Sequence, residues 1–184
     1  LYAEHHQVNA LGFVVEMSLI GQALLAQLTD KNKSTANITW FTPDKITDVN
    51  WQEKHVELTL NSATKLEAKL LLACDGAHSA CREFANISVQ TSDYGQSALI
   101  ANVSTAIAHN NLAFERFTDT GPIAMLPLSK QNGANDDSRC SLVWTLPPEQ
   151  AQQMSALNDK EFKQSLERAF GSWLGEITHV GKRD

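Results

Sequence analysis

The sequence predicts a two-part fold of the α/β plus α+β class. A continuous apolar run at residues 70–74 is followed by a helix-like segment, which is the pattern of a strand covered on both faces in a parallel sheet. Beyond residue 82, short strand-like segments follow one another and helices come only near the end, as in an antiparallel sheet with helices on one side. We therefore expect one domain in residues 1–90 and a second in residues 91–184.

The first half begins with an apolar run at residues 11–15, interpreted as a strand end, and a helix after Ser18. Apolar and polar residues alternate over residues 56–60, and again from residue 66 to residue 70, which predicts half-buried strands. The helix after Ser18 is indicated by the helical spacing of Ile20, Ala23, Leu24 and Leu28.

Residues 91–184 are predicted to form several strands, then two helices and a last strand. Pro127 lacks an amide hydrogen and therefore belongs at an edge or a bulge of its strand. A short helix is expected at residues 149–156, and a clearer one follows, with Asn158 and Glu161 as a capping box and Gly171 at the C′ position. The strands are expected at residues 98–103, 113–117, 123–128, 140–145 and 177–180.

Composition excludes several classes of function. The 184 residues are 42% hydrophobic, with 15 basic and 21 acidic side chains and a formal charge of −6. No basic cluster offers a nucleic acid a binding surface, and no apolar run approaches the roughly 20 residues that span a bilayer. Because the chain starts at Leu1 without a signal-peptide pattern, we interpret it as an internal fragment.

The cysteines and histidines predict neither a metal site nor a catalytic acid or base. Cys74, Cys81 and Cys140 are odd in number and lack metal-ligand spacing, which fits a reducing, cytoplasmic location. Cys74 lies in the apolar run and is expected to be a small core residue. The histidines have no carboxylate or cysteine partner at motif spacing, so the catalytic residues stay unknown.

Residues 75–82, Asp-Gly-Ala-His-Ser-Ala-Cys-Arg, follow the expected buried strand and carry the chemistry. Gly76 allows close backbone approach, Ser79 can cap the next helix, and the first helical amides can face an anion. Arg82 can add a charge-assisted contact. An alternative stays open, in which Asp75 and Ser79 only satisfy local amides of a plain strand-to-helix turn.

The same eight residues resemble the D-G-x-x-S-x-x-R signature of the flavoprotein aromatic hydroxylases typified by para-hydroxybenzoate hydroxylase. Further segments resemble the ubiquinone-biosynthesis hydroxylases of that family and occur in the same order along nearly the whole chain. These segments lie at residues 11–16, 100–103, 113–118, 121–128, 141–144, 170–175 and 181–183.

This resemblance implies a Rossmann-like FAD-binding domain, of which residues 1–90 form the rear part, and a substrate-binding domain in residues 91–184. It implies that Asp75, Gly76 and Arg82 lie in a loop that faces FAD and NAD(P)H, and that Ile46 lies near the adenine end of FAD. The segment at residues 123–128 would face the flavin ring and a phenol pocket. Met125 and Pro127 are candidate lining residues, with ordinary sheet packing as an equal alternative.

The implied activity is hydroxylation of a polyprenylated phenol with NAD(P)H and O2. The family's G-x-G-x-x-G segment and its second Gly-Asp motif are not in this sequence, so we expect the isolated chain to be inactive. Because a polyprenylated phenol is very hydrophobic, we expect, as a hypothesis, a cytoplasmic protein associated with the inner membrane surface or with enzymes of the same pathway. The alternatives are a non-catalytic α+β binding or assembly module and a sister hydroxylase acting at another ring position.

Overall fold

The computed structural model describes residues 1–29, 37–129 and 137–184 of the chain. The chain forms two compact units, Lys31–Ser92 and the combination of Leu1–Asp30 with Asp93–Asp184. The division expected at residue 90 falls close to the start of the second stretch at Asp93. Residues 1–30, however, group with the C-terminal stretch and not with residues 31–92. The assignment of the two sequence halves to two domains stays a prediction.

The smaller unit is built on a three-stranded antiparallel sheet of β1 (Ile46–Trp51), β2 (Val56–Leu60) and β3 (Lys65–Ala68), followed by the short helix α2 (Ala80–Phe84). The alternation expected at residues 56–60 is confirmed, since every second residue of β2 is buried. A small core forms on this face, and α2 is joined to β1 by a 3.3 Å hydrogen bond from Trp51 Nε1 to the Phe84 carbonyl. The core consists of Val49, Val56 and Leu58, with Ile46, Leu66, Ala68, Leu71 and Phe84 packed against it.

The buried strand expected at residues 70–74 does not form in this unit. The segment has no strand pairing, Leu70 is 71% exposed, Leu72 is 74% exposed, and Cys74 is exposed rather than in a core. A strand of a parallel sheet pairs with at least one parallel neighbour and is covered by helices on both faces. Among the described residues, all strand pairs are antiparallel, so the apolar run has nothing to pair with.

The larger unit contains a five-stranded antiparallel sheet in the order β5-β6-β7-β4-β8. The expected strands are confirmed, each to within one or two residues except at the end of the last. Burial alternates along the two central strands, so one face is covered and the other is open. The strands are β4 (Ser97–Thr105), β5 (Phe114–Thr118), β6 (Gly121–Pro127), β7 (Arg139–Leu146) and β8 (Ile177–Arg183).

Helices α3 (Pro148–Ala156) and α4 (Asp159–Phe170) belong to the same unit and bury apolar side chains in its core. The start of α4 is confirmed, because the Asn158 side chain accepts a 3.0 Å hydrogen bond from the Glu161 amide. Gly171 ends the helix at φ 94°. Burial of each large core side chain is worth about 1.5–3 kcal/mol. The largest are Phe162, Ile123, Met125, Leu142, Leu166 and Leu174.

The first 29 residues contain a 3₁₀ turn (Ala3–His6) and the helix α1 (Met17–Thr29). The helix expected after Ser18 is confirmed, but none of its side chains is buried. The strand expected at residues 11–15 is wrong, since this stretch is irregular and Phe13 is 88% exposed. In the part of the chain that the structure describes, no helix combines the length and apolar character needed to cross a membrane.

Two residues of β6 explain its ends. Gly121 begins the strand at φ 141°, and a Cβ built there would lie 2.8 Å from the Thr145 carbonyl oxygen of β7. Pro127 is the last residue of β6 and lies beyond Met125, where the pairing with β5 stops. Its missing amide hydrogen therefore faces no partner strand, as expected from its sequence position.

Candidate cofactor-binding site

The loop at residues 75–82 is held together by its own hydrogen bonds. One carboxylate oxygen of Asp75 accepts a 2.6 Å bond from the Ser79 hydroxyl, and the other accepts a 3.1 Å bond from the Cys81 amide. Ser79 Oγ in turn accepts a 3.0 Å bond from the Arg82 amide, so Ser79 is the N-cap of α2 as expected. The two side chains thus satisfy two backbone donors at the start of this short helix.

This arrangement corrects one expectation about the loop. The amides of Cys81 and Arg82 donate within the loop and do not point at an open space for an anion. The Arg82 guanidinium also bonds inside the loop, with Nη2 donating to the Ala77 carbonyl at 2.9 Å. The loop hydrogen bonds leave the amides of Gly76, Ala77 and His78 unused within the described residues. The free amides of this loop therefore lie before α2 rather than in its first turn.

The position of the loop agrees with a binding role. Residues 75–78 are exposed, Ser79 is 6% exposed, and Arg82 is half-buried. Gly76 has φ 84°, which side chains rarely adopt, and a Cβ built on it meets no atom within 4 Å. Glycine is thus favoured here by backbone conformation, and the space beside it is open. An exposed glycine with free neighbouring amides fits the phosphate part of a dinucleotide.

The charges in the loop are fixed by its hydrogen bonds. The Ser79 hydroxyl and, next, the Cys81 amide lower the pKa of Asp75 from 3.8 to about 2. Burial, followed by the charge of Asp75, raises the pKa of the Cys81 thiol. Asp75 is therefore an anion at physiological pH, and Cys81 is a protonated thiol that is a poor nucleophile. The described residues contain no group of three or more His, Cys, Asp or Glu side chains placed to hold a metal ion.

Ile46, which the resemblance placed near the adenine end of FAD, lies at the start of β1. It pairs with Leu60 and packs, half-buried, against the small core of Val49, Val56 and Leu58. Ile46 and the loop at residues 75–82 belong to the same compact unit. Its role toward a cofactor stays a prediction, because the contacts that the structure shows for it are packing contacts.

The two candidate pocket residues differ in their surroundings. Met125 is fully buried in the core that the sheet forms with α3 and α4, where it pairs with Leu142 of β7. This favours sheet packing for Met125 over pocket lining. Pro127 is half-buried at the end of β6. Because side chains alternate along a strand, Ala124 and Leu126 lie on the open face of the sheet.

Arg116 has a structural role that the sequence did not reveal. Arg116 Nη1 donates a 3.1 Å hydrogen bond to the Phe170 carbonyl at the end of α4. A guanidinium at a helix C-terminus also interacts favourably with the helix dipole. The bond joins the edge strand β5 to α4 across 54 residues. No local sequence signal marks such a long-range contact.

Comparison with known protein families decides the assignment. The family model described as FAD binding domain matches residues 17–183, which is nearly the whole chain and includes the loop at residues 75–82. The chain belongs to this FAD-binding family. FAD is therefore its cofactor class, and the expected membership among the flavoprotein hydroxylases is confirmed at the level of the family.

Curated relatives carry names from ubiquinone biosynthesis. Ubiquinone hydroxylase UbiL of Rhodospirillum rubrum is 32% identical over 182 residues, covering 99% of this chain and 40% of the relative. Ubiquinone biosynthesis monooxygenase COQ6, mitochondrial, is 31% identical in Caenorhabditis elegans, with 97% and 38% covered, and 32% identical in Homo sapiens, with 90% and 35% covered. The chain thus spans 40% or less of the length of these relatives.

Solved structures agree in fold. A variant of PqsL from P. aeruginosa superposes with a TM-score of 0.60 at 16% identity, over 91% of this chain and 47% of that chain. The 2,6-dihydroxypyridine-3-hydroxylase of Arthrobacter nicotinovorans gives a TM-score of 0.50 at 15% identity, over 61% and 30%. The expected fold class, that of the para-hydroxybenzoate hydroxylase type, is confirmed by these neighbours together with the family match.

Proposed function

We propose that this chain is part of a flavin-dependent aromatic-ring monooxygenase that hydroxylates a polyprenylated phenol in ubiquinone biosynthesis. NAD(P)H is the proposed reductant, and O2 supplies the oxygen atom. The observation that carries the proposal is the family match across residues 17–183, which includes an exposed Asp-Gly loop with open space beside Gly76. The names of the relatives UbiL and COQ6 support the pathway and the phenolic substrate.

The loop at residues 75–82 contributes binding and orientation. Gly76 lets the backbone approach a diphosphate closely, and the amides of Ala77 and His78 are donors for its oxygens. Arg82 keeps further guanidinium donors besides the one that bonds to Ala77, so it can add positive charge beside the amides. The redox chemistry of hydride acceptance and oxygen activation comes from FAD when it is bound.

The open face of the five-stranded sheet is the proposed wall of the phenol pocket. It carries Ala124 and Leu126 of β6 and the half-buried Val143 of β7. These short apolar side chains suit an aromatic ring and help to exclude water from the reaction. With this assignment, residues 91–184 form the substrate-binding part and residues 1–90 contribute to the FAD-binding part.

The ring position attacked is a finer proposal. The order of motifs resembles 2-octaprenyl-6-methoxyphenol hydroxylase, whereas the relatives reported above are UbiL and COQ6. We propose a 2-polyprenyl-6-methoxyphenol as the first substrate to test and the substrate of a sister hydroxylase, which acts at another ring position, as the second. Because a polyprenyl tail partitions into lipid, we also propose that the protein is peripheral to a membrane or associated with enzymes of the same pathway. Cell fractionation that finds the protein wholly unassociated contradicts this last part.

The test measures the flavin content and the NAD(P)H oxidation of the full-length protein of which this chain is a part, with and without a short-chain polyprenyl phenol. The proposal expects flavin absorbance, phenol-stimulated NAD(P)H oxidation and a product heavier by one oxygen atom. A colourless protein that cannot be loaded with FAD contradicts the monooxygenase and favours the non-catalytic α+β module. Product analysis by mass spectrometry and nuclear magnetic resonance then assigns the ring position.

A further inference from the structure

Glu16 occupies the point at which α1 begins. Its carbonyl oxygen accepts hydrogen bonds from the amides of Leu19 at 3.0 Å and Ile20 at 3.3 Å, which are the first bonds of the helix. Its side chain leaves the helix and reaches the sheet. Glu16 Oε1 accepts a 2.9 Å bond from Asn102 Nδ2 and a 3.0 Å bond from Arg139 Nη2. One residue therefore starts the helix and fixes that start to the sheet.

The two donors lie side by side on the open face. Asn102 of β4 pairs with Ser141 of β7, and Arg139 is two residues before Ser141 on the same strand. Residues two apart on a strand share a face. Cys140 and Leu142, which alternate with these residues, are fully buried in the core on the other face. Glu16 thus holds the entry to α1 against the face of the sheet that α3 and α4 leave uncovered.

Burial and charge make this contact stronger than an ordinary surface pair. The side chain of Glu16 is 18% exposed and that of Arg139 is 19% exposed. Arg139 Nη1 also donates to the Ser129 carbonyl at 3.3 Å, so the guanidinium is held on two sides. Removing the Arg139 guanidinium takes from Glu16 a charged donor at 3.0 Å, while the bond from Asn102 stays in place. The helix α1 has no buried side chain, and Glu16 joins its start to the sheet by two side-chain hydrogen bonds.

We propose that Glu16, Asn102 and Arg139 are positioning residues that set the distance between the start of α1 and the open face of the sheet. This role rests on the proposed function in one respect, since the open face is the proposed wall of the phenol pocket. The contact lies on that same face, because Arg139 and Ser141 alternate along β7 with the buried Cys140, and Ser141 pairs with Leu126 of β6. Loss of the contact is expected to impair substrate positioning without removing FAD.

The experiment compares Arg139→Met with Arg183→Met in the flavin-loaded protein. Arg183 is a matched control, because its side chain is 15% exposed and pairs with Asp159, far along the chain from α1. Hydrogen exchange of the Leu19 and Ile20 amides is expected to be about tenfold faster in Arg139→Met, which corresponds to about 1.4 kcal/mol. Arg183→Met is expected to leave these amides unchanged. Arg139→Lys, which keeps the charge, is expected to give an intermediate rate.

Activity supplies the second readout. Arg139→Met is expected to raise KM for the phenol several-fold and to lower the fraction of NAD(P)H oxidation that yields hydroxylated product, with flavin content unchanged. Equal exchange of Leu19 and Ile20 in Arg139→Met and Arg183→Met overturns the positioning role. A parent protein that binds no flavin refutes the proposed function instead, and the exchange measurement then still decides whether the contact positions α1.

Discussion

The replacement of Gly76 by alanine separates backbone strain from cofactor binding. Gly76 has φ 84°, and the added Cβ meets no atom of the protein within 4 Å. The cost to folding is therefore conformational, about 1 kcal/mol for an alanine in this region, without a steric clash. For a protein of this size that corresponds to a decrease in Tm of ~2–4 °C. The Cβ does, however, occupy the open space proposed for the diphosphate.

Gly95 offers a matched control, since it has φ 64° and a Cβ there also meets nothing within 4 Å. Gly95→Ala should cost the same stability but lie outside the loop at residues 75–82. We expect Gly76→Ala to weaken FAD binding about tenfold or more, or about 1.4 kcal/mol, and Gly95→Ala to leave it unchanged. Quenching of flavin fluorescence during titration of the apoprotein measures both Kd values, and thermal unfolding measures both stabilities.

Two results would refute this reasoning. If Gly76→Ala binds FAD as tightly as the parent protein, the space beside Gly76 is not used by the cofactor. If both variants lose flavin affinity equally, the effect comes from reduced stability rather than from the loop. A loss of affinity confined to Gly76→Ala, with equal changes in Tm, supports the proposed site.

Two further predictions follow from the described contacts. Gly121→Ala places a Cβ 2.8 Å from the Thr145 carbonyl oxygen and should lower the stability by ~2–3 kcal/mol, whereas Gly12→Ala, which meets no atom within 4 Å, should be nearly neutral in urea unfolding. Because the folded-state pKa of Asp75 is lowered from 3.8 to about 2, its stabilising contribution is complete above 3.8 and is lost as the pH falls through about 2. The difference in unfolding free energy between the parent protein and Asp75→Asn should therefore be constant from about pH 5 to about pH 7. It should shrink as the pH falls toward about 2. A difference that stays constant down to about pH 2 contradicts the loop geometry.

The sequence predicted the larger unit well because its signals are local. Short strand-like segments located β4 and β7, and Asn158 located the start of α4, since a capping side chain acts within three residues. The apolar run at residues 70–74 was misread for a physical reason. Apolarity indicates that a segment is to be covered, but it does not say which strands or helices cover it.

The candidate cofactor-binding site shows the same limit of prediction from sequence. The eight residues at 75–82 could be recognised from sequence, and Ser79 was correctly expected to cap α2. The sequence could not predict which backbone amides remain free, because that depends on the orientation of the Asp75 carboxylate. Arg116 and Glu16 were missed since their partners lie 54 or more residues away, and no spacing rule connects such positions.

For the proposed role of the loop in binding a dinucleotide, the hydrogen bonds among Asp75, Ser79 and the amides of Cys81 and Arg82 have a kinetic consequence. A loop that is already ordered in the apoprotein loses its conformational entropy during folding. Binding of a dinucleotide therefore carries no further cost for ordering it. Association should then be limited by diffusion and orientation rather than by a slow rearrangement. Residence time would accordingly be set by the number of contacts that must break before departure.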